Sequence, residues 1–151
     1  MFRTFMDDAL EEAAKALKRG EVPVGAVIVG ASGDIIARAG NETRERLDPS
    51  AHAEVLAIRK ACDTLKTDRL VNCDIYVTLE PCAMCAGLIA NARIRRIYFA
   101  ASDPKSGGIQ QGARVFDHEQ THHNPEIYPG IGEEKAVKLL RNFFATKRMK
   151  V

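Results

Sequence analysis

Residues 75–101, IYVTLEPCAMCAGLIANARIRRIYFAA, contain an apolar run, a short stretch of helix-forming residues and a second apolar run. Strand, helix, strand in so short a span admits few folds: the strands lie parallel in one sheet, joined by a right-handed crossover. The rest of the chain supplies the other layers. Phe2, Phe5, Met6, Ala9, Leu10, Ala13 and Leu17 recur at steps of three and four and predict an amphipathic helix over residues 4–19, ended by Gly20. VPVGAVIVG is a strand, ASGD a turn and DIIARAG the returning strand, so residues 22–40 form a hairpin. Asp48 before Pro49 has the pattern of an N-cap followed by proline at the first helical position. It predicts a helix through about Lys66 with Val55, Ile58, Ala61, Cys62 and Leu65 on its apolar face and His52 and Glu54 in its first turns. Residues 101–124 show no period, EIYPGI adds a short edge strand, and residues 132–147 form a last helix through Val137, Leu140 and Phe144. The expected fold is α/β, a three-layer helix-sheet-helix arrangement around a mixed sheet of about five strands, with residues 1–151 as one domain. In such sheets ligands gather at the carboxyl ends of the parallel strands, where the cysteine-bearing helix begins.

No apolar run approaches the roughly 20 residues of a membrane span. The N-terminus lacks the unbroken apolar core and small-residue cleavage site of a signal peptide, so no membrane partner and a cytoplasmic location are expected. The 4 cysteines then read as thiols or metal ligands rather than disulfides. A net charge of +2 is too small to announce nucleic acid by itself.

Two stretches carry chemistry, SAHAEVLAI at residues 50–58 and LEPCAMCAG at residues 79–87. Cys82 and Cys85, three apart at a helix start, present both sulfurs to one ion, and a helix N-terminus favours thiolates. His52 adds a third donor, since the start of a helix lowers the imidazole pKa and leaves a neutral ring nitrogen. Three protein ligands of this kind, with a fourth tetrahedral position left to water, describe a catalytic zinc site. Glu54 suits a different role. Two thiolates and an imidazole already cancel the charge of Zn²⁺, so the ion acidifies water less than one held by three neutral histidines, and a nearby base is needed. Residues two apart on an ideal helix diverge by about 200°. His52 and Glu54 therefore share a site only if the first turn is irregular or the Glu side chain reaches around it. Two other readings stay open. A thioredoxin-like dithiol oxidoreductase accounts for the C-x-x-C but leaves HAE unexplained. A structural zinc, RNA-binding module requires a fourth ligand, from Cys62, Cys73, His118, His122 or His123. Cys62 fits a core face, Cys73 a turn and the histidines a solvated loop.

HAE and PCAMC match the His-x-Glu and Pro-Cys-x-x-Cys signature of the zinc-dependent cytidine deaminase superfamily. EVPVGAVIV, AGN, DPSAHAEVLAIR, YVTLEPCAMCAGLIANARI and DPKSGG extend the likeness over nearly the whole chain, which resembles the bacterial tRNA adenosine deaminases. That resemblance implies a cytidine deaminase-like fold and one Zn²⁺ per chain. The implied reaction is hydrolytic deamination of adenosine to inosine at the tRNA wobble position, by a homodimer that binds the anticodon stem-loop. Deamination of a free base or nucleoside, guanine or cytosine, is the alternative within the class. Residue by residue, it implies His52, Cys82 and Cys85 as zinc ligands and Glu54 as the proton shuttle. It also implies a base contact at Asn41, pocket lining by Val24, Ala53, Leu79 and Pro81, and Asp103 beside the flipped nucleotide. Phe143, Phe144 and the KRMK tail, with Lys147, Arg148 and Lys150, resemble a terminal helix that meets the anticodon loop. Arg44, Arg46, Arg93, Arg95, Arg96 and Lys105 are further candidates for phosphate contact. Residues 115–131 depart most from the family pattern.

Overall fold

In the computed structural model residues 3–148 are described, the side chain of Arg148 excepted. Phe2, Lys150 and that side chain lie outside the described residues. Five strands, β1 (Gly25–Val29), β2 (Ile35–Gly40), β3 (Asp74–Leu79), β4 (Arg96–Ala101) and β5 (Glu126–Pro129), form one sheet in the order β2-β1-β3-β4-β5. β1 runs antiparallel to both β2 and β3, while β3, β4 and β5 are parallel. The hairpin, the crossover pair and the edge strand are thus all present.

Strand alternation divides the core into two. Ala26, Ile28, Ile75, Val77, Ile97 and Phe99 point to the face covered by α2 (Ala53–Leu65) and α3 (Ala83–Asn91). Val27, Val29, Tyr76, Tyr98 and Ala100 point to the face covered by α1 (Phe5–Lys18) and α4 (Glu133–Arg148). Every residue that carries apolar weight in one strand therefore meets a helix on its own side. On the α1 face the parallel register puts Tyr76, Tyr98 and Tyr128 side by side, with ring centroids 4.3 and 5.0 Å apart. α1 begins with a capping box in which Thr4 and Asp7 exchange side-chain-to-backbone hydrogen bonds.

α1 lies so close to β1 that only glycine fits at residue 25, where an added Cβ would sit 2.0 Å from the Ala9 carbonyl oxygen and 2.5 Å from the Ala13 nitrogen. Both obstructing atoms are backbone, so no rotamer change relieves the clash. Gly25→Ala is expected to cost about 3 kcal/mol or more, the upper end for overpacking, and to lower Tm by roughly 6–12 °C. Thermal unfolding checks this; a shift under about 2 °C would show that α1 slides without cost.

The start of α2 differs from expectation. The Asp48 carboxylate accepts from the backbone N–H of Ser50 at 2.9 Å and from its hydroxyl at 2.7 Å, and Asp48 closes a turn instead of capping a helix. The helix starts four residues later than expected, with His52 as its extended N-cap (φ −73°, ψ 153°). α3 is similarly short, with Cys82 as N-cap. Between β4 and β5 the only regular element among the described residues is a turn of 3₁₀ helix at Val115–Asp117.

Candidate metal centre and active site

The N-termini of α2 and α3 meet beyond the carboxyl end of β3, where Glu80 follows the strand and donates its N–H to the Ala101 carbonyl at 2.8 Å. Each helix contributes its N-cap residue, and neither N-cap side chain is used for capping. For α2 the capping is done from a distance: Asn41, at the end of the hairpin, accepts the Ala53 N–H on its Oδ1 at 2.8 Å. The imidazole of His52 is thereby free, and because His52 precedes the helix, the 200° divergence between His52 and Glu54 disappears.

His52 Nδ1 lies 3.7 Å from the Cys82 Sγ and 3.4 Å from the Cys85 Sγ, and the three donor atoms are all within 4.8 Å of one another. A tetrahedral zinc with Zn–S about 2.3 Å and Zn–N about 2.0–2.1 Å sets adjacent N and S roughly 3.6 Å apart. The spacing and the soft donor set both fit that ion. Among the described residues no fourth His, Cys, Asp or Glu joins the group, which matches an open rather than a closed site. Cys62 is half-buried beside the core and Cys73 buried within it. His118 and His123 hydrogen-bond to the carbonyls of Ala113 and Ile94.

Hydrogen bonding from Cys85 and then from His52 draws Cys82 down to about 4, while the bond to Cys82 and burial push Cys85 far up. The neighbouring Cys82 sulfur raises His52 above the ordinary imidazole value against the effect of burial, with Glu54 adding to it. The lowered value expected for a helix start is not found, because a thiolate stands against the ring. Glu54 is 4 % exposed, and burial lifts its carboxyl above the usual range although His52 and Cys85 pull the other way.

These groups open on a cavity of about 250 Å³ lined by Val22, Val24, Asn41, Thr43, His52, Glu54, Leu79, Glu80, Cys82, Asp103 and Ser106. Sites for drug-sized ligands run from about 300 Å³; this one suits a single planar base. Of the residues expected around it, Val24, Asn41, Leu79 and Asp103 are present. Ala53 and Pro81 are buried behind the lining, Ala53 in the core and Pro81 with its carbonyl taken by Gly108. Asn41 accepts the Ala53 N–H on its oxygen, and among the described residues its amide nitrogen makes no hydrogen bond. Asp103 caps its own loop, accepting from the N–H groups of Lys105 and Ser106 at 3.1 and 3.0 Å.

Two buried glutamates that sequence reasoning passed over hold the walls. Glu21, 1 % exposed, accepts from the N–H groups of Arg44 and Glu45 at 3.2 and 2.8 Å and pins the loop that carries Thr43. Glu80 does the same for residues 102–111. Burial pushes its carboxyl up, but backbone N–H groups from Asp103, Gln111, Gln110 and Ile109 outweigh that and hold it below the usual range. The available signal was the pair of Glu residues flanking apolar strands, since a buried carboxylate needs donors.

Outside the cavity, Phe144 is 47 % exposed and packs edge-on to buried Phe143, over which Arg44 and Lys147 stand at 5.8 and 4.9 Å. Lys105 is exposed. Arg95 and Arg96 are engaged by Asp74 and Glu126, and Arg46 by Glu42, so the cation set that faces solvent unpaired is smaller than the sequence implied.

Residues 2–101 match the family described as the cytidine and deoxycytidylate deaminase zinc-binding region, and the chain belongs to that family. Over 145 residues it is 51 % identical to the tRNA-specific adenosine deaminase of Agrobacterium fabrum, covering 96 % of this chain and 95 % of that protein. The tRNA-specific adenosine deaminase of Aquifex aeolicus is 44 % identical over 146 residues, 95 % of this chain and 94 % of the relative. A solved structure from a study of A-to-I editing by tRNA:A34 deaminases at the wobble position of transfer RNA is similar at a TM-score of 0.88 and 51 % identity. It covers 90 % of this chain, which covers 98 % of it.

Proposed function

We propose that the chain is a zinc hydrolase that converts adenosine to inosine at the wobble position of tRNA. The observation that carries the reading is the His52, Cys82 and Cys85 donor set opening, with Glu54, on a base-sized cavity. The likeness of the chain to tRNA-specific adenosine deaminases over nearly its full length directs that chemistry to tRNA. Bound zinc supplies Lewis-acid activation of a water molecule. Glu54 takes a proton from the attacking water and places it on N1 of the adenine ring as the oxygen adds to C6. A second proton passes through the same carboxylate to the 6-amino group, which leaves as ammonia. A carboxyl held above its usual range by burial is a stronger base than a free one. Val24 and Leu79 supply apolar lining for the ring and Asn41 a polar group for its edge, and the small cavity excludes the rest of the strand, so the base enters splayed from its loop. Arg44, Lys147 and Phe144 supply charge and a stacking face outside it.

We further assign a homodimer and a cytoplasmic location. No described helix is long and apolar enough to cross a membrane. Leu65, Val71 and Met84 are exposed, and a cleft lined in part by Ile58, Cys62 and Leu88 lies between α2 and α3; exposed apolar side chains of this kind are what a second copy covers. Sedimentation is expected to return twice the 16.6 kDa of one chain.

Sequencing of tRNA before and after incubation is expected to show adenosine read as guanosine at the wobble position. An anticodon stem-loop is expected to exceed free adenosine in kcat/KM, with KM rising as salt increases because phosphate contacts release counterions. A higher kcat/KM for free guanine or cytosine would overturn the substrate assignment and leave the metal chemistry standing.

A further inference from the structure

Glu80 follows β3 and precedes the proline of the zinc-ligand motif, and it is 2 % exposed. Among the described residues it has no ion-pair partner. Its two oxygens accept five hydrogen bonds, all from one segment. Oε1 accepts from the Asp103 N–H at 3.0 Å and the Ser102 hydroxyl at 3.2 Å. Oε2 accepts from the N–H groups of Ile109, Gln110 and Gln111 at 3.1, 2.8 and 3.0 Å. Residues 102–111 contain no helix or strand, so these bonds, rather than a ladder or a helical repeat, define the path of the loop.

The loop also lies directly on the chain that bears Cys82. The Gly108 N–H donates to the Pro81 carbonyl at 2.8 Å. A Cβ at Gly107 would stand 2.7 Å from the Glu80 carboxylate and 2.6 Å from the Asp103 carbonyl oxygen; one at Gly108 would stand 2.5 Å from the Ala83 nitrogen. From this closely fitted loop Asp103 and Ser106 reach the lining of the base cavity, to which Asn41 and Thr43 also belong. Five donors saturate the carboxylate, which leaves it no lone pair for substrate or proton transfer.

We infer that Glu80 is a positioning residue: an anionic hub around which residues 102–111 fold, fixing the cavity wall carried by Asp103 and Ser106 so that the flipped base is held in register. It acts on base binding, while proton transfer stays with Glu54. For the substrate used, the inference rests on the tRNA deaminase reading.

The test uses zinc-loaded protein and three variants. In Glu80→Gln an amide NH₂ replaces one oxygen, so two or three loop donors face another donor. Glu80→Asp keeps the charge with the carboxylate drawn back by one methylene. Gly107→Ala leaves Glu80 untouched and pushes the loop away from it. With an anticodon stem-loop, Glu80→Gln and Gly107→Ala are each expected to raise KM by about ten- to a hundredfold, the scale of an ångström misplacement. kcat should stay within about threefold, zinc at one per chain, and Glu80→Asp should fall between Glu80→Gln and the unsubstituted protein. Amide exchange at residues 103 and 109–111 is expected to accelerate in both loop-releasing variants, a measurement that needs no substrate and so separates failure of this inference from failure of the substrate reading. Unchanged KM and exchange in a folded Glu80→Gln would overturn the inference. So would loss of zinc from that variant, which would make Glu80 a support of the metal end. If Glu80→Gln does not fold, Gly107→Ala decides: normal KM there overturns the inference and a raised KM sustains it.

Discussion

Glu54→Ala is expected to slow single-turnover deamination by about ten-thousandfold or more while leaving one zinc per chain. A positioned acid or base usually contributes about a hundred- to ten-thousandfold, and in the proposed reaction one carboxylate serves both the transfer from water to N1 and the transfer to the departing amine. The loss therefore lies at or beyond the upper end, near 5.5 kcal/mol at about 1.4 kcal/mol per decade. The metal stays because its three donors are placed by the starts of two helices: His52 by the turn at Asp48 and by the Asn41 cap, Cys82 and Cys85 by α3. Removing a buried carboxylate also removes its desolvation, so Tm is expected to hold or rise slightly. Zinc content and turnover measured on one preparation separate the roles. Zinc lost with activity would make Glu54 a ligand, and near-normal turnover with zinc bound would remove it from the reaction.

The parts of this site that were legible in the sequence are those written in local chemistry. The parallel pair around PCAMC followed from a helix-forming stretch between two apolar runs, the connection a parallel crossover needs, and β3 and β4 do pair in parallel. The three sulfur and nitrogen donors followed from the spacing of the cysteines and the place of His52 before a helix. What failed depended on partners far along the chain. Asp48 and Pro49 carry an ordinary helix-start pattern, yet Ser50 takes the Asp48 carboxylate and Asn41, twelve residues before Ala53, caps the helix instead. That one change of cap moves the start of α2 by four residues and removes the geometric objection to His52 and Glu54 sharing a site. Residues 102–111 gave no period because their order comes from Glu80, some twenty to thirty residues away, and not from a repeat of their own. Asn41, expected at the base from its motif, lines the cavity and also caps α2 through its oxygen, a task its motif did not announce.

Cys82→Ser is expected to lose the metal and, with it, activity by about a thousandfold or more, since a bound ion supplies several kcal/mol of charge stabilisation in such reactions. The reason lies in the proton balance of the pair. Cys82 is drawn down to about 4 by Cys85 and His52, so it enters a metal site already as thiolate. A serine hydroxyl at the same N-cap stays neutral at any working pH, and the two remaining donors, His52 and Cys85, do not hold zinc against competition from water. The fold is expected to survive: β3, α3 and the loop above them are tied by apolar packing and by Glu80, none of which passes through the Cys82 sulfur. Zinc should therefore raise the Tm of the unsubstituted chain by mass action and leave that of Cys82→Ser unmoved, so that the two converge after chelation. Metal analysis and Tm with and without added zinc check this together. Full activity of the chelated, unsubstituted protein, or one zinc per chain in Cys82→Ser, would overturn the assignment of Cys82 as a ligand on which the reaction depends.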